Sequence, residues 1–173
     1  MNIYLIGYRC TGKTTVGKML ASALGFDFID ADVKLVKDYG MTVAEIVAKE
    51  GWGGFRSKEK DVLKEISQMK NHVIATGGGV ILDPENIDTI KNSGICVFLK
   101  ASPEIIQERM LKDAMTADQR PSLTDKKLEQ EITYTLRERM PLYEKTMDFS
   151  VDTDELSLDD VTSMTLRGLE DKL

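Results

Sequence analysis

Cysteine is scarce in this 173-residue chain, which has only Cys10 and Cys96. Two widely separated thiols suggest neither a disulfide framework nor a zinc cluster, and they fit a reducing compartment. The only histidine, His72, follows Asn71 at an expected turn into a strand. Without companion residues it reads as structural rather than catalytic. No tract is repeated or of low complexity, and no apolar run approaches the roughly 18 residues of a membrane span. Met1 leads directly into an apolar segment, with no charged n-region or cleavage site, so the expectation is a cytoplasmic protein without a membrane partner. Positive charge is also in deficit. The formal net charge of −6 argues against a general binder of nucleic acid, although single basic residues can still form a local anion pocket. What remains is one compact domain over residues 1–173, expected to act as a monomer.

Glycine, at 13 residues, is placed where it is informative. Gly7-Tyr8-Arg9-Cys10-Thr11-Gly12-Lys13-Thr14 has two glycines bracketing four residues, followed by Lys-Thr. It follows the apolar run Asn2–Ile6 and precedes a segment with Val16, Met19, Leu20, Ala23 and Leu24 at helical spacing. Strand, glycine-rich turn and helix in that order define a phosphate-binding P-loop. Backbone N–H groups of such a turn point at phosphate oxygens, and the helix N-terminus adds positive partial charge. Lys13 is then expected to reach the β- and γ-phosphates of ATP, and the Thr14 hydroxyl to ligate Mg²⁺. Cys10, Thr11, Gly12 and Thr15 complete the expected nucleotide contacts.

Downstream, Phe26–Asp30, His72–Thr76, Ile95–Leu99 and Met147–Val151 read as further strands separated by helical sequence, which implies a parallel sheet. Between the second and third, Val33–Tyr39, Thr42–Lys49 and Trp52–Met69 read as helices, with breaks at Gly40 and Gly51 and with Thr42 as an N-cap ahead of Glu45. Pro84 and Ser102-Pro103 open two more helices, the second running to about Leu111. A long helix is expected over Asp125–Glu144, and Ser157 caps the last. The polar segment Lys112–Thr124 is the candidate for a mobile lid.

Asp30-Ala31-Asp32 ends the second strand. Residues two apart on a strand share a side, so both carboxylates are placed to face the region where ligands bind in open α/β sheets. One carboxylate can hold Mg²⁺ through water while the other receives a hydroxyl proton. Equally, Asp32 can serve as a helix N-cap. Gly77-Gly78-Gly79 after the third strand either lets backbone approach a ligand or forms a flexible turn. Arg56, Arg120 and Arg139 are scattered, and spacing alone does not unite them. Cys96 and the nine methionines read as core and gap-filling residues.

Taken in order, the P-loop, Asp30 to Asp32, Phe55-Arg56 with Glu59, the three glycines, Arg120-Pro121, and Arg137 with Arg139, Pro141, Leu142 and Tyr143 resemble the shikimate kinase family over nearly the whole chain. The resemblance implies a three-layer α/β P-loop fold with about five parallel strands, a helical substrate-binding region over about 32–70 and a lid over about 112–124. It also implies ATP-dependent phosphorylation of the shikimate 3-hydroxyl, with Mg²⁺. By the same resemblance Arg56 and Arg139 hold the substrate carboxylate, while Asp32 and Gly77–Gly79 hold hydroxyls. Lys13, Asp32 and Arg120 are the catalytic set, Arg109 and Arg120 lie near the nucleotide, and Thr14 with Asp30, the latter through water, holds the metal. The chain departs from the family pattern at Cys10, where a glycine is usual, and at Ser122. Its segment from Arg109 to Arg120 is longer than usual, and Val151–Glu155 is acidic where a second adenine-side basic residue is common. Other P-loop kinases acting on gluconate or nucleoside monophosphates, and a nucleotide-sensing regulator without turnover, are the competing readings.

Overall fold

The computed structural model describes residues 1–113 and 127–172. Five strands form one parallel sheet in the order β2-β3-β1-β4-β5. They are β1 (Asn2–Ile6), β2 (Asp27–Asp30), β3 (His72–Ala75), β4 (Gly94–Lys100) and β5 (Phe149–Asp152). All five coincide with the strands expected from the sequence to within two residues at each end. Every residue of β1 is buried because the strand lies between β3 and β4 with both faces covered.

Side chains alternate across the sheet and so define two cores. Tyr4 and Ile6 of β1, Ile74 of β3 and Phe98 of β4 pack on one side against α2 (Ala31–Tyr39), α3 (Val43–Ser67) and α4 (Pro84–Ser93). Ile3, Leu5, Val73 and Val97 pack on the other against Val16 and Leu20 of α1 (Lys13–Leu24) and Val161 of α7 (Leu158–Leu169). A smaller cluster joins Ile106 and Met110 of α5 (Pro103–Lys112) to Ile132 and Leu136 of α6 (Leu128–Thr146), with Tyr8 between them. Helix, sheet and helix layers thus confirm the α/β P-loop architecture. The expected start of α6 at Asp125 lies outside the described residues.

Helix boundaries follow local chemistry. Thr42 and Glu45 form a reciprocal capping box at α3. At Gly51 the backbone takes φ 72°, ψ 178°, so α3 is kinked at the expected break. One boundary differs from the sequence reading: Asp30 and Asp32 are not both strand residues. The Asp30 carboxylate accepts from the N–H groups of Asp32 and Val33, which starts α2 at Ala31 and makes Asp30, not Asp32, the N-cap. Asp32 therefore sits in the first helical turn.

Because β1 lies next to β3, the loop after β1 and the glycine turn after β3 meet at the carboxyl edge of the sheet. A Cβ placed on Gly78 would stand 3.2 Å from the carbonyl oxygen of Gly7. Among the described residues no helix is long and apolar enough to cross a membrane.

Candidate active site

A cavity of about 560 Å³ opens at that edge. Its donor end is the P-loop. Gly12, at φ 92°, precedes α1, so the first turn of that helix faces the cavity. Lys13 Nζ donates to the carbonyls of Gly7 (2.9 Å) and Tyr8 (2.7 Å), which bridges the loop from within. Thr14 and Thr15 line the cavity, but the Thr11 side chain does not. Thr11 is buried, and its hydroxyl donates to the Tyr8 carbonyl at 3.0 Å, so it braces the loop, leaving only its backbone for ligand contact. Cys10 has φ 60°, a conformation L-residues with a side chain adopt at a cost of about 1–2 kcal/mol.

Thr14 Oγ1 donates to Asp30 Oδ2 at 2.7 Å, while Asp30 Oδ1 caps α2. A hydroxyl and a carboxylate side by side form an oxygen donor set that suits Mg²⁺. Because both Asp30 oxygens are already engaged, the carboxylate fits a position behind metal-bound water. Among the described residues no cluster of three or more His, Cys, Asp or Glu forms a protein-only metal cage. Magnesium held mainly by phosphates and water needs none.

Arg109 borders the donor end from α5. Its Nη1 donates to Thr153 Oγ1 (3.0 Å) and to the Cys10 carbonyl (3.3 Å), and its Nη2 donates to the Thr153 carbonyl (2.6 Å). The guanidinium thus ties the segment after β5 to the P-loop, while lining the cavity.

The acceptor end draws on four elements. Asp32 comes from α2, Arg56 and Glu59 from α3, Gly77–Gly79 from the turn after β3, and Arg139 from α6. Arg56 Nη1 bonds Glu59 Oε2 at 2.6 Å, and the guanidinium carbon lies 5.5 Å from the Trp52 ring centre and 5.1 Å from that of Phe55. Rings and carboxylate together hold the fork in place. The glycine turn fits closely beneath these groups. A Cβ at Gly79 would fall within 2.6 Å of three Arg56 guanidinium atoms, and one at Gly77 would fall 2.6 Å from Glu59 Oε1 and 3.0 Å from Asp32 Oδ1. Close approach of charged side chains to backbone therefore accounts for the glycines here.

Glu59 is 5% exposed, and its Oε1 has no hydrogen-bond partner. Burial raises its pKa above the usual carboxylate range, with Asp32 acting in the same direction and the charges of Arg56 and Arg139 opposing. Arg139, 7% exposed, donates from Nη1 to the Gly78 carbonyl at 3.0 Å.

The structure thus unites Asp32, Arg56, Arg139 and the three glycines, which spacing could not. Arg120 and most of the lid segment lie outside the described residues. Arg9 and Asp113 also line the cavity; the sequence places them inside the P-loop and the lid segment without marking a role for either. Positions inside a P-loop pattern are unspecified, and Asp113 follows a helix with no motif to mark it. The partnering of Glu59 with Arg56 had a signal available, since residues three apart share a helix face.

A P-loop after the first strand of a parallel sheet, opening on a compact pocket with paired arginines and a carboxylate, defines a P-loop small-molecule kinase. The shikimate kinase family model matches residues 9–170. A shikimate kinase of Thermodesulfovibrio yellowstonii is 43% identical over 169 residues, covering 98% of this chain and 95% of that protein. One from Rhodopirellula baltica is 41% identical over 167 residues, covering 96% and 89%. A solved shikimate kinase from Acinetobacter baumannii, in complex with shikimate, superposes with a TM-score of 0.92 at 36% identity, covering 99% of this chain and 94% of that one. The chain belongs to the shikimate kinase family.

Proposed function

We propose that this chain transfers the γ-phosphoryl group of ATP to the 3-hydroxyl of shikimate, giving shikimate 3-phosphate and ADP. The observation that carries the reading is the shared cavity, in which Lys13 and Thr14 at one end face Asp32, Arg56 and Arg139 at the other. A small acid bearing several hydroxyls needs a fixed cationic fork and a hydroxyl acceptor, and both stand opposite the phosphate loop.

Arg56 and Arg139 hold the acceptor's carboxylate. Asp32 and the amides of Gly77–Gly79 hold its hydroxyls. This pins the reacting oxygen in line with the γ-phosphorus, which is the larger part of catalysis in phosphoryl transfer. A bond forms from that oxygen to the γ-phosphorus while the bond to the bridging oxygen of ADP breaks, and the hydroxyl proton leaves to the Asp32 carboxylate. Lys13, the amides of Cys10 to Thr15 and the N-terminus of α1 offset the negative charge on the transferring group. Thr14, with Asp30 behind it, would hold Mg²⁺, which when bound supplies further neutralisation of phosphate charge. Arg120 is assigned to the same phosphoryl group, with residues 112–124 as the lid that excludes water and residues 32–70 as the acceptor-binding region. The single domain is assigned as a cytoplasmic monomer.

The deciding experiment is ADP release from MgATP with shikimate, gluconate or a nucleoside monophosphate as acceptor and no other protein present. Turnover with shikimate alone is expected. Turnover with another acceptor in preference would replace the reading by a related kinase. Normal ATP binding without turnover on any acceptor would mark a nucleotide-sensing regulator.

A further inference from the structure

The acceptor turn is anchored to α6 at one atom, the carbonyl oxygen of Gly78. Two donors converge on it from the same helix face, four residues apart: Arg139 Nη1 at 3.0 Å and the Tyr143 hydroxyl. We propose that Tyr143 is a positioning residue for the acceptor: its hydroxyl holds the Gly78 carbonyl against α6, which orients the glycine turn and leaves Arg139 free to engage an anion.

Peptide geometry gives the first step. The Gly78 carbonyl and the Gly79 N–H belong to one trans peptide plane and point in opposite directions. Fixing the carbonyl toward α6 therefore turns the Gly79 N–H away from that helix. Gly79 itself lies directly beneath the Arg56 guanidinium. Among the described residues the N–H groups of Gly77, Gly78 and Gly79 donate to no protein acceptor. Their direction is set by how the turn is held, and they remain available to a ligand.

The second step concerns the division of labour between the two donors. Arg139 is a cation lining the cavity, whereas Tyr143 does not line it. A guanidinium drawn toward a carboxylate gives up part of its hold on the carbonyl, and the phenol keeps the turn in register. Tyr143 suits this because it is rigid. It is fully buried, and its ring stacks on Phe98 of β4 with centres 4.7 Å apart and planes 20° apart. Burial also pushes its phenol up to about 12, so it stays a neutral donor throughout the physiological range. On its far side the turn packs against the P-loop, where a Gly78 Cβ would stand 3.6 Å from the Arg9 nitrogen.

The inference rests on the acceptor assignment above. Turnover of shikimate by the unaltered enzyme tests that assignment independently of anything done at Tyr143. The test here is Tyr143→Phe, which removes the oxygen and keeps the ring, compared with Phe98→Leu, which loosens the same packing and keeps the hydroxyl. Tyr143→Phe is expected to raise the KM for shikimate roughly fivefold to tenfold, the scale of one hydrogen bond, with kcat and the KM for ATP within about twofold. Phe98→Leu, compared at equal distance below its own melting temperature, is expected to raise the shikimate KM by less than about twofold, because the hydroxyl stays in place although its ring loses a stacking partner. An unchanged shikimate KM in Tyr143→Phe, a parallel rise in both KM values, or an equal effect from Phe98→Leu would overturn the proposal. Should Tyr143→Phe not fold, 3,5-difluorotyrosine at position 143 preserves shape and lowers the phenol pKa. A shikimate KM that climbs with pH as that phenol ionises, beyond any change in the parent enzyme, supports the role, and one that follows the parent at every pH refutes it.

Discussion

The donor end of the cavity comes from one continuous stretch, Gly7–Thr15, whereas the acceptor end is gathered from α2, α3, the turn after β3 and α6. The first works chiefly through backbone. In the proposed mechanism its amides, the helix N-terminus and one lysine recognise phosphate, so the identity of several loop side chains should matter little. The second works through side chains that hold one another: Arg56 on Glu59, and Arg139 on the Gly78 carbonyl. A contiguous backbone site tolerates substitution, and a dispersed network of buried charges does not. Mutations should therefore divide by end, with donor-end changes mild where only a side chain alters and acceptor-end changes severe and selective for shikimate.

Arg139→Ala should break the comparison most strongly. The side chain is 7% exposed and serves both the proposed carboxylate and the glycine turn. Loss of one partner from a buried charged site costs about 3–5 kcal/mol, so shikimate binding measured by calorimetry should become undetectable at ordinary concentrations. ATP binding should change far less. Equal weakening of both ligands would remove the distinction between the two ends.

Asp32→Asn is expected to act on turnover rather than on binding. Its carboxylate faces the same point above Gly77 as Glu59, and a positioned acid or base contributes about a hundredfold. The measurement is kcat for ADP release at saturating shikimate and ATP, with nucleotide affinity as the control. Turnover within a few fold of the parent would remove Asp32 from the chemistry.

Arg56→Ala should cost about 2 kcal/mol in shikimate binding, at the low end of the range for a truncated charge pair because the Arg56 side chain is 23% exposed. It also carries a pH signature. Glu59 has its pKa raised by burial, with the charge of Arg56 opposing, so removing Arg56 lifts the folded-state pKa further above the unfolded value. A carboxyl raised in this way favours folding below its unfolded pKa, and that advantage is lost as pH rises through the folded pKa. The melting temperature of Arg56→Ala should therefore fall further below the parent's as pH rises through the folded-state pKa that Glu59 has in the parent. A constant difference across pH would mean that Arg56 does not govern the ionisation of Glu59.

The same division explains what was legible beforehand. Strand β1, the P-loop and α1 are neighbours in sequence as in space, so pattern and chemistry could be read together. The three central strands, β1, β3 and β4, were likewise marked by apolar runs, because the middle of a parallel sheet covered on both faces leaves few polar interruptions, whereas the edge strands β2 and β5 carry polar residues between their apolar ones. The acceptor end was legible only through family resemblance, since nothing in the spacing of Asp32, Arg56, Gly78 and Arg139 encodes the helix packing that brings them together. The Asp30–Asp32 boundary was misread for a local reason: an aspartate at a strand end and one at a helix start satisfy the same pattern, and only the capping bonds of Asp30 separate them.

Cys10 sharpens the comparison from the donor side, with the smallest expected effect. Its φ of 60° is a conformation in which glycine is unstrained, and the family usually has glycine there. Cys10→Gly relieves about 1–2 kcal/mol of backbone strain but returns part of it through the greater freedom of glycine in the unfolded chain. A rise of roughly 2–4 °C in melting temperature is the upper expectation, with phosphoryl transfer preserved because the loop binds through its amides. The thiol is partly exposed and lines the cavity, with its S–H directed at Asp113 Oδ2 3.9 Å away. A thiol-alkylating reagent should therefore inactivate the parent enzyme, MgATP should protect by covering the loop, and Cys10→Gly should resist. Cys96 offers no competing target, since it is fully buried and burial pushes its thiol well up. Equal sensitivity of Cys10→Gly would show that inactivation proceeds elsewhere, and a parent enzyme alkylated at Cys10 with full activity would show that the loop tolerates bulk at that side chain.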